Sequence, residues 1–146
     1  MNPLPFRNGS VRLALTATLI AGGILVGPAP RTAAQDARAE VKPVLAEKLP
    51  NVPGKTLTAV LVTYEPGAKS ARHHHAGSVF VYVLSGAVRS QTSVGGPARV
   101  YKTGESFFEP PGSEHLVSEN ASASDPASLL AVFVADDGAQ LTVFDR

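Results

Sequence analysis

Four histidines give this 146-residue chain its clearest chemical feature. Three of them form the run His73, His74 and His75, and the fourth is His115. Successive side chains of a β-strand point to opposite faces, so His73 and His75 can face one interior while His74 points away. A separate turn then has to deliver His115 as a third ligand. Imidazole suits zinc, copper, iron and nickel, and three protein ligands with open positions are typical of catalytic metal sites.

The pattern therefore predicts a bound divalent transition metal, with iron, zinc, copper, nickel and manganese as candidates. A second interpretation stays open on spacing alone, in which the run is a solvated loop tip and His115 a hydrogen-bonded core residue, because histidine-rich tracts indicate metal binding only by composition. The chain has no cysteine, which excludes disulfides, thiolate nucleophiles, cysteine-ligated zinc and iron–sulfur clusters. Any metal has to bind to nitrogen and oxygen.

Composition indicates one folded domain with no affinity for nucleic acid. Hydrophobic residues make up 44% of the chain and charged residues 17%, which favours a packed core over a disordered polymer. The 13 Lys and Arg and the 12 Asp and Glu give a net charge of +1 and are scattered along the chain. A nucleic-acid-binding surface would gather its basic residues into a patch or stripe.

Residues 1–34 have the order of a secretory signal peptide. Two arginines precede the apolar run 13–26, and small residues follow before a cleavage site that we place between Ala34 and Gln35. Ala37 and Ala39 offer a later cleavage site as the alternative. An uncleaved membrane tether is the alternative, but the run is shorter than the roughly 20 apolar residues that span a bilayer. We expect an exported, periplasmic or secreted protein that meets the membrane only during export, with residues 35–146 as its mature domain.

The mature chain alternates short β-branched or aromatic runs with turn clusters rich in glycine and proline, and it shows no helical period. Such a pattern predicts an all-β domain, a sandwich or barrel of jelly-roll type. The predicted strands are residues 41–49, 55–65, 78–84, 87–92, 98–101, 105–108, 115–118, 128–135 and 140–144.

Two motifs surround the histidines. In the first, Gly67 is followed by five residues, His73, one residue and His75, and a strand then ends at Gly86. The glycines stand where tight turns favour positive φ. Turn glycines alone are weak evidence, but their combination with the histidine spacing is specific.

In the second motif, Gly104 is followed by Pro110, Gly112 and His115, with Asn120 after them. Together the two motifs resemble those of the cupin family, although the asparagine stands one place later than the family pattern expects. The chain is similar to a small single-domain cupin. The resemblance implies a cupin jelly-roll β-barrel, also called a double-stranded β-helix, whose interior holds the metal.

One position departs from the family pattern. The cupin motif places a glutamate three residues after the second histidine, and Val79 stands there in this chain. The resemblance then implies a three-histidine site on His73, His75 and His115, or loss of the metal. An all-imidazole site would keep the full +2 charge of the metal, so we expect it to favour anionic ligands.

Acid or base groups are few near the motifs. Glu109 is the better candidate of two glutamates, because Glu114 should point the other way by strand parity. Tyr82 and Tyr101 are weaker candidates, and Gln91 could reach inward as a neutral ligand. For all of them a packing or surface role is the competing interpretation.

The pocket walls are expected to include Val79, Val81 and Val83, which share one strand face and predict an apolar pocket. The runs 79–84 and 129–134 are apolar on both faces. One face can line the barrel, so the other needs cover from an N-terminal strand or from a second subunit, and a homodimer is one solution.

Two functions follow as expectations from the family resemblance. The first is a metal-dependent oxidoreductase that acts on a small organic molecule, with anionic molecules as the expected preference, by dioxygenase-like or related chemistry. The second is a non-catalytic periplasmic cupin that binds a small ligand or a metal, as in a sensor. One fold hosts many functions, so the choice between these two depends on the site.

Overall fold

The computed structural model describes residues 39–145, which form ten strands and no helix. No helix in this range is long and apolar enough to cross a membrane. The predicted signal peptide, residues 1–34, and its cleavage site lie outside the described residues. The strands are β1 (Glu40–Lys48), β2 (Lys55–Tyr64), β3 (His73–His75), β4 (Ser78–Ser85), β5 (Ala87–Thr92), β6 (Arg99–Lys102), β7 (Ser106–Glu109), β8 (Glu114–Asn120), β9 (Ala127–Asp136) and β10 (Thr142–Phe144).

The strands form two five-stranded antiparallel sheets, which we call the first and second sheets. The first sheet has the order β1-β2-β9-β4-β7, and the second has the order β10-β3-β8-β5-β6. This arrangement confirms the predicted all-β jelly-roll fold. Nine strands lie within a few residues of the predicted runs, whereas β3 was not among them because three histidines carry no hydrophobic alternation.

Side chains along β4 alternate between the interior and the outer face of the first sheet. Val79, Val81 and Val83 point inward and are almost fully buried, whereas Phe80 and Tyr82 lie on the outer face and remain 46% and 40% exposed. Successive strand side chains point to opposite faces, so a run that is apolar throughout has to present half of its side chains outward. The inward valines pack against β9 in the hydrophobic core.

Strand register fixes the positions of the chemically active side chains. His73 on β3 lies directly opposite His115 on β8 in the second sheet. In the first sheet, Val79 on β4 lies directly opposite Glu109 on β7. Directly opposite residues point to the same face of a sheet, so each pairing brings two side chains into the interior together.

Two glycines hold the connections that deliver the histidines. Gly77, between β3 and β4, passes so close to β9 that a Cβ there would clash with the backbone oxygen of Val134. Gly112 has a φ of +71° in the turn that leads into His115, a left-handed conformation that glycine adopts without steric cost. The backbone of that turn donates a hydrogen bond from Gly112 to the carbonyl of His75.

Candidate metal centre

His73 and His75 project from β3 into the interior, and His74 lies on the opposite face of the strand. Both inward rings are buried and held by backbone carbonyls. Nδ1 of His73 donates to the oxygen of Ala71 at 2.7 Å, and Nδ1 of His75 donates to the oxygen of Leu141 at 2.9 Å. Because the proton sits on Nδ1 in each ring, Nε2 carries the lone pair that a metal needs.

His115 completes the group from β8. Its Nε2 lies 2.9 Å from the hydroxyl of Ser90, and its Nδ1 is buried without a hydrogen-bond partner among the described residues. One nitrogen from each of His73, His75 and His115 lies within 4.8 Å of the other two. The structure therefore brings together the three histidines that the sequence indicated as ligands.

Burial keeps two of these rings neutral. Desolvation lowers the pKa of His73 below its usual 6.5, partly offset by the hydrogen bond to Ala71. Desolvation also lowers the pKa of His75, partly offset by the nearby carboxylate of Glu109. A neutral imidazole is the form that ligates metals, so these environments favour binding at neutral pH.

A carboxylate adjoins the rings of His75 and His115. Glu109 is 2% exposed, and its Oε2 lies 3.2 Å from Nδ1 of His115 and 3.7 Å from Nε2 of His75. On β4 itself, Val79 stands where the family pattern has a glutamate. The cross-strand neighbour of Val79 supplies a carboxylate to the same interior.

The donor set fits a divalent transition metal. Two ligands that share one metal at about 2.1 Å stand about 3.0–3.4 Å apart. The 3.2 Å between Oε2 of Glu109 and Nδ1 of His115 falls in this range, and the 3.7 Å between Oε2 and Nε2 of His75 is slightly longer. Oε2 of Glu109 and Nδ1 of His115 are both buried and unpartnered among the described residues. A cation between them would satisfy both atoms, and buried polar atoms are otherwise expected to be hydrogen-bonded.

The histidines open onto a cavity of about 290 Å³ between the two sheets. Val79 and Val81 line it, whereas Val83 lies farther along β4 in the hydrophobic core and is not part of the wall. The wall is mainly apolar, as the sequence predicts. The other apolar residues that line it are Val41, Val60, Val62, Phe107, Leu129, Ala131, Phe133 and Phe144.

A hydroxyl cluster adds a second polar region to this wall, apart from the histidines and Glu109, and the sequence does not predict it. The hydroxyl of Tyr64 lies 2.7 Å from that of Ser118 and 3.2 Å from that of Ser70. All three residues line the cavity, and burial raises the pKa of Tyr64 above its usual 10.0. They come from separate segments of the chain, so no local spacing could indicate the cluster.

The two tyrosines considered as acid or base groups lie elsewhere. Tyr82 is on the outer face of β4, and Tyr101 packs on Phe107 with ring centroids 4.6 Å apart while Arg99 lies over its ring. Neither tyrosine lines the cavity. Strand parity explains the placement of Tyr82, because Val81 and Val83 take the inward positions.

Glu114 and Gln91 also point away from the histidines. Glu114 is exposed and pairs with Arg72 at 3.1 Å, as its strand parity predicts. The amide of Gln91 donates to the backbone oxygen of Gly96 at 3.1 Å in the turn between β5 and β6. Gln91 therefore supplies no ligand to the site, and Glu109 is the only one of the sequence-based acid, base or neutral-ligand candidates that reaches it.

Comparison with known structures places the fold among double-stranded β-helices. An uncharacterized conserved protein with such a domain from Klebsiella pneumoniae is 21% identical, with a TM-score of 0.57 over 83% of this chain and 91% of that one. A cupin-like protein from Thermotoga maritima is 26% identical, with a TM-score of 0.53 over 65% and 67% of the two chains.

Bacillus subtilis oxalate decarboxylase, a protein with Mn(II) centres, is 29% identical over 60% of this chain, with a TM-score of 0.51. The aligned region spans only 23% of that larger protein. No curated protein sequence matches the chain. The model of the family described as Cupin domain matches residues 60–133, more than half of the chain, and includes all three inward histidines and Glu109. The chain belongs to the cupin family.

Proposed function

We propose that the protein binds a divalent transition metal on His73, His75 and His115 and acts with it on a small organic molecule. One observation carries this proposal: three buried imidazoles from two strands converge within 4.8 Å at the wall of an internal cavity. Two of the rings, His73 and His75, are oriented by backbone carbonyls that accept from Nδ1, which leaves each Nε2 available to bind a metal. A purely structural role would not require this orientation.

The cavity favours a small and largely apolar substrate. Its volume of about 290 Å³ is at the lower end of the range for ligand pockets. Among the described residues that line it, none is lysine or arginine, and Glu109 is the only carboxylate. A strongly anionic ligand would find no cationic side chain there, so the expected preference for anions gives way to a neutral molecule with one hydrogen-bonding group.

The chemistry we favour is oxidation of dioxygenase type. A bound divalent metal would act as a Lewis acid with coordination positions open to small molecules. The wall is mainly apolar, and the Tyr64 hydroxyl is placed to hold a polar group of the substrate. The resemblance to oxalate decarboxylase supports metal-dependent chemistry, but this chain covers too little of that protein to carry over its reaction.

A second function, metal or ligand binding without turnover, is favoured by the scarcity of proton-transfer groups. Tyr82, Tyr101 and Glu114 all point away from the cavity. Glu109 lies beside the proposed metal ligands, with its Oε2 3.2 Å from Nδ1 of His115, and the raised pKa of Tyr64 makes this phenol a poor source of protons at neutral pH. A binding protein needs no such group.

Metal analysis tests the proposed site. The protein is purified without a histidine tag, and its metal content is measured beside His73→Ala, His115→Ala and the control His74→Ala. We expect the first two variants to lose the metal, while His74→Ala, from the outward face of the same strand, retains it. Equal metal content in the wild type and both inward variants would refute the site.

Oxygen consumption separates the two functions. The metal-loaded protein is incubated with a panel of enols, phenols and thiols, and uptake is followed with an oxygen electrode. We expect at least one neutral member of the panel to stimulate uptake, and we expect His115→Ala to abolish it. Tight binding of such compounds with no uptake and no product would favour the binding function.

We also propose that the protein is exported and that its mature chain starts at Gln35. The order of charges, apolar residues and small residues in segment 1–34 supports this proposal. Expression of the full chain, followed by cell fractionation and N-terminal sequencing, tests it. An unprocessed chain that starts at Met1 would contradict it.

A homodimer through the outer face of the first sheet is a further proposal. Phe80, Tyr82 and Phe108 lie side by side on this face and are all at least 40% exposed, and contiguous apolar patches of this kind mark interfaces. Light scattering after gel filtration should show a dimer, and Phe80→Ser combined with Phe108→Ser should convert it to a monomer. Val94→Ser, in an exposed turn of the second sheet, is the control.

A further inference from the structure

We propose that Glu109 is the fourth metal ligand, a carboxylate that β7 supplies in place of the one that the family pattern puts at Val79 on β4. The inference rests on the proposed metal site and adds a residue to it. It turns a three-histidine site into a site with three imidazoles and one carboxylate.

The register of β4 and β7 makes this replacement possible. Val79 and Glu109 are directly opposite in the antiparallel ladder, and side chains in such pairs stand on the same sheet face about 4.5–5.5 Å apart at Cβ. A carboxylate on either strand therefore enters the same space. With valine at 79, the room that a glutamate there would fill is open to the side chain of Glu109.

The geometry around Glu109 points to a cation. Its Oε2 lies 3.2 Å from Nδ1 of His115 and 3.7 Å from Nε2 of His75, and it has no hydrogen-bond partner among the described residues. A buried carboxylate without a partner is strongly unfavourable, and within residues 39–145 no lysine or arginine lines this cavity to compensate it. A divalent metal shared with the imidazoles removes that cost.

The alternative is a buried acid hydrogen-bonded to an imidazole, with Glu109 protonated and donating to Nδ1 of His115. In that arrangement Glu109 would act through His115, as an outer-shell partner does. Loss of an outer-shell partner usually costs about 10–100-fold in metal affinity, which sets the threshold between the two roles.

A fourth ligand of this kind changes the charge of the site. One carboxylate cancels part of the +2 charge that three neutral imidazoles would leave. Carboxylate oxygen also suits manganese better than imidazole does. Mn(II) is therefore the probe that responds most strongly to Glu109.

The experiment measures Mn(II) affinity of the metal-free protein by the electron paramagnetic resonance signal of unbound Mn(II). We compare the wild type with Glu109→Gln and with the control Glu114→Gln, an exposed carboxylate next to His115 that pairs with Arg72. We expect Glu109→Gln to weaken binding at least 100-fold and Glu114→Gln to change it less than threefold. A loss below 100-fold in folded Glu109→Gln overturns ligation by Glu109.

The wild type distinguishes this failure from failure of the proposed function. A wild type that binds Mn(II) as tightly as Glu109→Gln does, with binding abolished in His115→Ala, leaves the metal site intact and removes only Glu109 from it. If the wild type binds neither Mn(II) nor any other divalent metal, both the proposed metal site and the ligand role of Glu109 are refuted.

A swapped variant tests the same idea without leaving a vacancy. Val79→Glu combined with Glu109→Val moves the carboxylate to the opposite strand and keeps the same two side chains facing each other. We expect it to bind Mn(II) within about tenfold of the wild type, a range that outer-shell differences can account for. A folded swap, verified by circular dichroism, that binds no better than Glu109→Gln overturns the cross-strand replacement. If Glu109→Gln does not fold, the Mn(II) affinity of the swapped variant decides whether this carboxylate is a ligand.

Discussion

The two sheets contribute differently to the cavity that they enclose. The second sheet supplies every histidine of the site, from β3 and β8. The first sheet supplies most of the apolar wall, from β2, β4 and β9, and a single carboxylate from β7. One sheet is thus specialised for chemistry and the other for packing, with Glu109 as the exception.

The sheets also differ in what their sequences reveal. In the second sheet the unusual residue type identifies the site, because histidines two apart on a strand are rare and share a face. In the first sheet the inward positions hold common apolar residues, which indicate a core and nothing more. If this division is correct, substitutions in the first sheet should mainly change stability, and substitutions in the second should mainly change metal binding.

The largest effect on stability is expected from Phe133→Ala in the first sheet. Phe133 is buried on β9, and its ring packs edge-on against His75 with centroids 5.1 Å apart. Large-to-small substitutions of buried phenylalanine cost about 3–5 kcal/mol, and we expect about 3 because part of the ring faces the cavity. Urea unfolding of the metal-free protein measures this difference.

Phe108→Ala is the matched control for Phe133→Ala. Phe108 lies on the outer face of the same sheet and is 57% exposed in a single subunit, so in the monomer, at a protein concentration too low for the proposed dimer, its truncation should change the free energy of unfolding by less than about 0.5 kcal/mol. Equal costs for the two substitutions under these monomeric conditions would contradict the division of the first sheet into a buried inner face and an exposed outer face.

The next effect is stabilisation by metal, which should depend on the second sheet. A ligand that binds only the folded state at 100 times its dissociation constant adds about 2.7 kcal/mol to the free energy of unfolding. We expect this gain in the wild type and in His74→Ala and its absence in His115→Ala, as measured by thermal unfolding with and without added metal. A similar gain in His115→Ala would place the metal elsewhere.

The sequence predicts most of the strands and two of the three histidines that share the interior. The β-branched and aromatic runs of β4 and β9, bounded by turn residues, predict strands, but both runs are apolar throughout, so polarity alone does not indicate which face is buried. His73 and His75 follow from parity within one strand. Their meeting with His115 follows only from the resemblance to cupins, since the spacing alone does not show which turn delivers the third ring.

Local sequence patterns do not predict the position of Glu109 in the site or the hydroxyl cluster. The role of Glu109 depends on a ladder between β4 and β7, and a strand read by itself shows only that Val79 lacks a carboxylate. Tyr64 ends β2 in the first sheet, and Ser118 lies on β8 in the second, so their contact is a property of how the sheets face each other. Such contacts join distant segments and leave no periodic signal.

A smaller effect is expected from pH on the metal-free protein. Burial lowers the pKa of both His73 and His75 below the usual 6.5, so the unfolded chain binds more protons than the folded one as the pH falls below about 6.5. Stability should therefore be constant with respect to these groups above that pH and should decrease gradually below it. Urea midpoints at pH 7.5, 6.5 and 5.5 with a chelator present measure the trend.

His73→Ala supplies the control for the pH dependence. Removing one of the two buried rings should reduce the loss of stability between pH 6.5 and 5.5. A wild type that becomes more stable over that interval would mean that the ion pair between a protonated histidine and Glu109 outweighs desolvation. The ion pair would then stabilise the metal-free protein at low pH.

The smallest effect is expected from Tyr64→Phe, at the boundary between the two sheets. The substitution removes a hydroxyl that lies 2.7 Å from Ser118 and keeps the ring that packs in the core. A hydrogen bond of this kind contributes about 0.5–1.5 kcal/mol, so we expect a loss of about 1 kcal/mol in urea unfolding. Metal content should not change, because Tyr64 lies outside the histidine group.

Binding of neutral phenols and enols to Tyr64→Phe, measured by calorimetry, should weaken more than binding of apolar analogues of the same size. Equal weakening for both would assign Tyr64 to packing alone and leave the cavity without a polar anchor from the first sheet.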